Sequence, residues 1–352
     1  MEVAKGPAGV LPEELTTRSL DILRAIVQDF IASGEPVGSL SIAPRCEVSP
    51  ATVRSAMSDL EELGYLEKPH TSAGRIPTDK AYRLYVDSLL RVRQPAAKDL
   101  ERIDRAMQPA ALPELIADTS RLLHELTHHA AVVIAPRFDQ VLLHRVEFVK
   151  LREDRVLAIF VSSSGIVQNR LITIDFPVGR EELEHATNYL SELLGSGLSL
   201  DQVQARLKQE LEHERAALDA ILKKSLDLGT RALAGVDAPP QLVIEGEESF
   251  LDAPEFAADV DRMRKLFAEL AQKDRLLQVL GRAVDGKEIQ IFIGTESEFS
   301  ASAGVSLVAA PYTRGDVVFG ALAVIGPTRM NYGKVIPLVD YTARAVSRSL
   351  AE

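Results

Sequence analysis

The sequence predicts an α+β protein of more than one domain, and three observations lead there. The chain has 352 residues, whereas a typical domain takes roughly 100 to 200. Its N-terminal part alternates helical periodicity with tight turns and ends in a short hairpin. Beyond that, strand-like runs give way to a long helical block and then resume, as in an α+β domain that carries an insertion.

Composition narrows the function classes. With 46% hydrophobic and 26% charged residues and a mean hydropathy of +0.02, the chain fits neither a disordered nor a membrane protein. Its longest apolar runs, such as Ala130 to Pro136, fall far short of the ~18 residues of a spanning helix. Met1 to Leu15 carries Lys5, Glu13 and Glu14 and no apolar stretch leading to a cleavage site, so export is not expected. The single cysteine, Cys46, cannot form an internal disulfide and suits a reducing compartment. A cytoplasmic location without membrane association is the expectation.

The net charge of −11 repels phosphate polymers, so any nucleic-acid binding must be local. Residues 1 to 95 hold 11 Lys and Arg against 13 Asp and Glu. Within them, Lys68, Arg75, Lys80, Arg83, Arg91 and Arg93 face only Asp79 and Asp87, a local net of +4.

From Thr17, the positions Leu20, Leu23, Ile26, Val27 and Phe30 line one helix face, with Thr16 or Thr17 as N-cap and Gly34 as the stop. Gly38 and Ser39 start a short second helix, which Pro44 ends, and Arg45 to Val48 form a turn. The third helix opens with Ser49 as N-cap and Pro50 at the first helical position. Its apolar stripe is Val53, Ala56, Met57, Leu60 and Leu63, so Ala51, Ser55, Ser58 and Glu62 point outward, flanked by Thr52 and Arg54. A small, uncharged, hydrogen-bonding surface at a helix N-terminus, after a short helix and a tight turn, matches the recognition end of a helix-turn-helix. Its aligned amides also favour phosphate. A plain three-helix bundle with a polar outer face satisfies the same pattern.

Tyr65 to Lys68 then reads as a strand, Pro69 to Gly74 as a turn and Arg75-Ile76 as a return strand. A basic hairpin directly after a recognition helix is a wing, in which Lys68, His70, Thr71, Ser72 and Arg75 reach phosphates or a minor groove. A solvated surface hairpin is the alternative.

Three stretches carry a resemblance. Gly34 to Ser39 (GEPVGS), Val48 to Arg54 (VSPATVR) and Leu63 to Thr78 (LGYLEKPHTSAGRIPT) are similar to the HrcA family of heat-inducible transcription repressors. Ile325 to Tyr332 (IGPTRMNY) resembles that family's C-terminal motif, so the likeness spans essentially the whole chain. It implies a winged helix-turn-helix followed by a GAF-like antiparallel-sheet domain with a helical dimerising insertion. It further implies a homodimer that binds double-stranded DNA at an inverted repeat upstream of chaperone operons, and an active form maintained by the chaperonin. The expected segments are 1–77 for the winged helix, 78–100 for a helix and linker, 101–177 and 257–352 for the two parts of the GAF-like domain, and 178–256 for the insertion. No enzyme activity, cofactor or metal is expected.

In order along the remainder, Thr78 caps a helix with the stripe Tyr82, Tyr85, Val86 and Leu89, and Gln94 to Ala97 is a linker. Leu115, Ile116, Thr119, Leu122, Leu123 and Leu126 mark a further helix. Strands follow at Ala130 to Ala135, Val141 to Val149, Val156 to Ser162 and Ile166 to Ile174; their short connections predict antiparallel pairing. Helices are expected over Glu181 to Leu194, Leu200 to Leu233 and Phe256 to Leu280, with strand-like Gln241 to Glu245 between the last two. Strands return at Ile289 to Gly294, Val305 to Ala310 and Val317 to Ile325 before a terminal helix over Val335 to Leu350. The long helices of the insertion need a partner for their apolar faces, which makes that segment the expected dimer contact.

One motif points elsewhere. His124-Glu125-Leu126-Thr127-His128 matches the H-E-x-x-H pattern of zinc peptidases, with His129, His144 and Glu147 as further ligand candidates. On the helical wheel, however, His124 and His128 lie opposite the apolar stripe, as a solvent-facing pair at a helix C-terminus would. Cys46 falls in a turn as a half-buried hydrophobe. A third reading, in which the sheet holds a small regulatory ligand, rests on fold analogy alone.

Overall fold

A computed structural model describes residues 12, 14–69, 74–90, 94–107, 112–134, 143–162, 167–196, 198, 200–213, 220–233, 242–257, 259–315 and 317–351. The chain forms two compact units, one of residues 1–110, 114–134 and 242–352 and one of residues 111–113 and 135–241.

The first unit begins with α1 (Thr17–Ser33), whose N-cap Thr16 accepts a hydrogen bond from the Ser19 amide at 3.1 Å. Gly34 ends α1 in the left-handed region (φ 71°), where a side chain would be strained. Leu20, Leu23, Ile26 and Val27 are buried, as the periodicity requires. The short α2 (Ser39–Ile42) and the turn after it lead to α3 (Pro50–Glu62), which buries Val53, Ala56, Met57 and Leu60. Two short strands follow, β1 (Leu66–Glu67) and β2 (Ile76–Pro77), paired antiparallel. The return strand starts one residue later than expected because Arg75 pairs with Val37 instead, its amide 2.9 Å from the Val37 carbonyl. Gly74 permits this approach, since a Cβ there would lie 2.5 Å from the Val37 carbonyl oxygen. Three helices, a turn and this hairpin make a winged helix. The wing tip, residues 70–73, lies outside the described residues.

Thr78 caps α4 (Asp79–Leu84), which runs on as a π-helical turn, Tyr85–Leu89. A further helix, α5 (Ala97–Ala106), occupies ground read as linker and GAF-like sequence. Then come α6 (Leu112–Thr127) and β3 (Ala130–Ile134).

The second unit opens with β4 (Leu143–Arg152), β5 (Arg155–Ser162) and β6 (Val167–Thr173), and continues in α7 (Arg180–Gly195), α8 (Leu200–His213) and α9 (Ala220–Leu233). The three strands form a sheet of their own in the order β4-β5-β6. This corrects the expectation that they continue the main sheet and that the insertion begins only at residue 178. Val146, Phe148, Val156, Ala158, Phe160 and Ile172 pack beneath the helices with Leu190, Leu207 and Leu226, so strands and helices share one core and form one unit.

The chain then returns to the first unit with β7 (Leu242–Glu245), α10 (Pro254–Ala257), α11 (Val260–Ala271), α12 (Lys273–Gly286), β8 (Gln290–Ile293), α13 (Glu298–Ala303), β9 (Val305–Arg314), β10 (Val317–Pro327) and α14 (Tyr332–Ser349). The single helix expected over Phe256 to Leu280 is broken twice. Asp259 caps α11 through its carboxylate, and Gln272 leaves helical geometry at ψ 77°. The main sheet is antiparallel in the order β7-β3-β10-β9-β8. One face meets α12, where Val305, Leu307, Ala323 and Ile325 join Leu276 and Leu280. The other face is covered by α14, which packs on β9 and β10. Cover on both faces explains why β9 and β10 read as continuous apolar runs rather than alternating ones.

Candidate nucleic-acid interface

The outer surface of α3 starts from its cap. The Ser49 hydroxyl accepts from the Thr52 amide at 3.1 Å and lies 2.9 Å from the Thr52 hydroxyl. The two side chains therefore satisfy each other, and Thr52 is half-buried. Ala51, Arg54, Ser55 and Ser58 are exposed on one side of the helix. Among the described residues Arg54 has no ion-pair partner, so its guanidinium is available to an external anion.

The wing is tied to this helix by an acid that sequence reasoning passed over. Glu61, in the last turn of α3, receives Arg75 Nε and Nη2 at 2.8 Å each on Oε2, and Lys68 Nζ stands 3.7 Å from Oε1. Both described basic residues of the wing thus meet the same carboxylate. Arg75 is only 16% exposed and serves as a clasp, whereas Lys68, at 42%, keeps its ammonium at the surface. His70, Thr71 and Ser72 lie outside the described residues. The available signal for Glu61 was its sign: an acid on the polar side of α3, close before a hairpin holding two cations.

The other described cations of the basic stretch are also engaged. Lys80 donates to the Leu63 carbonyl at 2.9 Å and lies over the Tyr65 ring at 4.3 Å, while Arg83 pairs with Asp87 and Glu296. Arg91 and Arg93 are outside the described residues. Among the described residues the local surplus of positive charge is therefore largely spent inside the fold: beside α3 only Arg54 has no ion-pair partner, while Lys68 keeps an exposed ammonium at 3.7 Å from Glu61.

Two family models match the chain. One, described as "Winged helix-turn-helix transcription repressor, HrcA DNA-binding", covers residues 14–88. The other, described as "HrcA protein C terminal domain", covers residues 113–336. The chain belongs to the HrcA family. Among curated HrcA proteins, it is 51% identical to the heat-inducible transcription repressor of Anaeromyxobacter sp. (strain K), over 96% of this chain and 97% of that one. It is 46% identical to the repressor of Geobacter sulfurreducens, over 96% and 98%. A crystal structure described as that of a hypothetical protein matches the fold with a TM-score of 0.65 at 22% identity, over 96% of this chain and 99% of that one. As an HrcA-family member the chain is a DNA-binding transcription repressor and not an enzyme.

The H-E-x-x-H motif takes a different form in the HrcA fold. His128 is exposed and adopts φ 56°, one residue past the end of α6, so the two histidines do not share a helix face. His124 is half-buried rather than solvent-facing, with Nδ1 3.0 Å from the His129 carbonyl. Glu147, on β4, pairs with Arg145 at 2.7 Å, and among the described residues no group of three metal-ligating side chains assembles. Burial pushes the His129 imidazole down to about 4, helped by the positive charges of His128, Lys334 and Arg329 and opposed by Glu255. Cys46 is half-buried with its thiol raised by burial and by Asp21, as suits a small hydrophobe. Among the described residues no helix is long and apolar enough to cross a membrane.

Proposed function

We propose that the chain represses chaperone operons by binding, as a homodimer in the cytoplasm, an inverted-repeat operator. Ala51, Thr52, Arg54, Ser55 and Ser58 would face the major groove, with Ser49 setting the helix start and Lys68, His70, Thr71, Ser72 and Arg75 forming the wing. The observation that carries the reading is the exposed, nearly uncharged face of α3 with the wing held against its last turn through Glu61. Phosphate contacts position such a helix and its small polar side chains read bases. Arg75 contributes to the wing by fixing it to α3. Two identical heads related by a two-fold axis require an inverted repeat.

Support for the dimer comes from the second unit. The face of its sheet away from α7 exposes Val149, Leu151, Val167 and Leu171, and the strand register sets Val149, Leu157 and Leu171 side by side. An open apolar sheet face of this kind marks an association surface. We assign it to a second copy of the chain; this moves the expected contact from the helices to the strands of the same unit.

Heat inactivation and restoration by the chaperonin rest on family membership, and they predict a reversible loss of DNA binding. The test measures binding to an inverted-repeat duplex, selected from a random pool by the unheated protein, before and after a mild temperature step. Recovery on cooling should be greater with chaperonin and nucleotide than without. Full recovery without chaperonin defeats that step and leaves DNA binding intact; failure to select any palindrome at moderate salt defeats the operator reading itself. The scarcity of unpaired cations beside α3 among the described residues also predicts a modest salt slope for a dimeric repressor.

A further inference from the structure

The winged helix does not simply hang from a linker. Two arginine clasps at separate points hold it to the sheet body of the same compact unit. Arg329, in the loop between β10 and α14, stands at the C-terminal end of α1. Its Nη1 donates to the Ile31 carbonyl at 3.5 Å, one of the carbonyls that the helix end leaves without a partner. Its Cζ would lie 3.3 Å from a Cβ placed on Gly34. The same guanidinium pairs with Glu255 on α10, through Nε to Oε1 and through Nη2 to Oε2, the latter at 3.3 Å. Both side chains are about four-fifths buried, at 21% and 23% exposure. One cation thus joins the negative end of a DNA-binding-domain helix to an anchored carboxylate of the body.

The second clasp is at α4. Arg83 donates to the Ile291 carbonyl of β8 at 2.5 Å and to both carboxylate oxygens of Glu296, Nε to Oε1 at 2.7 Å. Beside it, Asp79 at the start of α4 accepts from the Thr295 amide at 2.9 Å and from its hydroxyl at 3.0 Å. Near Arg329, what separates α1 from the body is a cleft of about 600 Å³ lined by Gln28, Ile31, His129, Phe250 and Asn331 among others, rather than a filled apolar contact. Orientation on that side therefore depends on directional polar bonds.

We infer that Arg329 with Glu255, and Arg83 with Glu296, are positioning residues that fix the angle at which each winged helix is presented, and so the half-site spacing the repressor accepts. None of the four lies on α3 or the wing. Their effect is on simultaneous engagement of two half-sites, where the second contact gains from effective concentration only when the geometry permits it. This rests on the dimeric inverted-repeat reading above.

The test uses full-length protein and three kinds of duplex: the selected inverted repeat, a single half-site, and inverted repeats with spacers lengthened or shortened by a few base pairs. Arg329→Ala and Arg83→Ala should each weaken binding to the native-spaced repeat by about tenfold or more while half-site binding stays within about twofold, because avidity and not the head is lost. The profile of affinity against spacer length should flatten. Arg329→Lys should restore part of the spacing preference, and the exchange of Arg329→Glu with Glu255→Arg should restore more than either change alone. Equal losses on the half-site and the repeat, or an unchanged spacing profile in both alanine variants, would overturn the inference. Wild-type protein that shows no advantage for a repeat over a half-site would instead overturn the operator reading, and the inference with it.

Discussion

Arg75 on the wing and Glu61 on the recognition helix are joined by two bonds of 2.8 Å to a single carboxylate oxygen. The pair spans the angle between hairpin and helix, and Lys68 adds its charge from the other strand. Removing the carboxylate frees two cations next to the DNA-binding face. Glu61→Gln should therefore lower stability by about 1 kcal/mol, the scale of a part-buried, charge-assisted bond. It should raise affinity for non-specific duplex and narrow the operator-to-non-specific ratio, because cations gain phosphate contacts as the wing loses its register. Urea melts with paired titrations check this; an unchanged ratio would mean that the clasp does not set the wing.

Arg54 separates two modes of contact. If it reads a base, Arg54→Ala costs about 1 to 3 kcal/mol and relaxes preference at one operator position. A phosphate contact weakens all sequences alike and lowers the salt slope by about one unit. Its place at the edge of the exposed face favours the phosphate outcome, and titration against a single-base-variant operator set decides it.

The open sheet face of the second unit gives a test of assembly. Leu151→Asp and Leu171→Asp alter residues that are 53% and 48% exposed, so the protomer should keep its fold and melting behaviour. A charge buried in an apolar contact costs more than about 1.4 kcal/mol, so dimer dissociation should strengthen at least tenfold. Sedimentation velocity over a concentration series reads the change. Unaltered dimers would move the interface off this face.

His129 predicts acid sensitivity. Burial, with His128, Lys334 and Arg329 nearby and only Glu255 opposing, holds it at about 4 in the fold, against about 6.5 when unfolded. The unfolded chain then binds more protons between those values, so its stabilising contribution is complete above about pH 6.5 and is lost as pH falls towards 4. Between pH 7 and pH 5 the loss is about 2 kcal/mol. Denaturant melts of wild type and His129→Gln at both pH values should show the variant less pH-dependent by that amount; equal dependence would place the acid sensitivity elsewhere.

How much was legible depends on how local the deciding interaction is. Thr16 and Gly34 bracket α1, and Ser49 and Pro50 open α3, because a cap is settled within four residues of chain. The stripe Val53, Ala56, Met57 and Leu60 could be read as buried because helical spacing puts those side chains on one face. The exposed surface of Ala51, Arg54, Ser55 and Ser58 followed from the same periodicity. Family likeness was legible for a similar reason, in contiguous runs such as Gly34 to Ser39 and Ile325 to Tyr332.

The tertiary structure alone decided which partners those local pieces found. An apolar run shows that a segment is a strand but not which strand it joins, so β4, β5 and β6 were read into the main sheet although they build a second one with α7, α8 and α9. Lys68 and Arg75 were read as wing cations reaching phosphate, and Arg83 as part of a local positive surplus, but the fold sets Glu61 against the first two and Glu296 against the third. Glu296 lies 213 residues from Arg83 and Arg329 lies 298 from Ile31. Whether a charge faces solvent or a buried partner depends on through-space distance, and only the folded chain brings such positions within a few ångströms. The sequence by itself therefore determined the helices, their caps and the face of α3; the fold decided which cations remained free and how the winged helix is held.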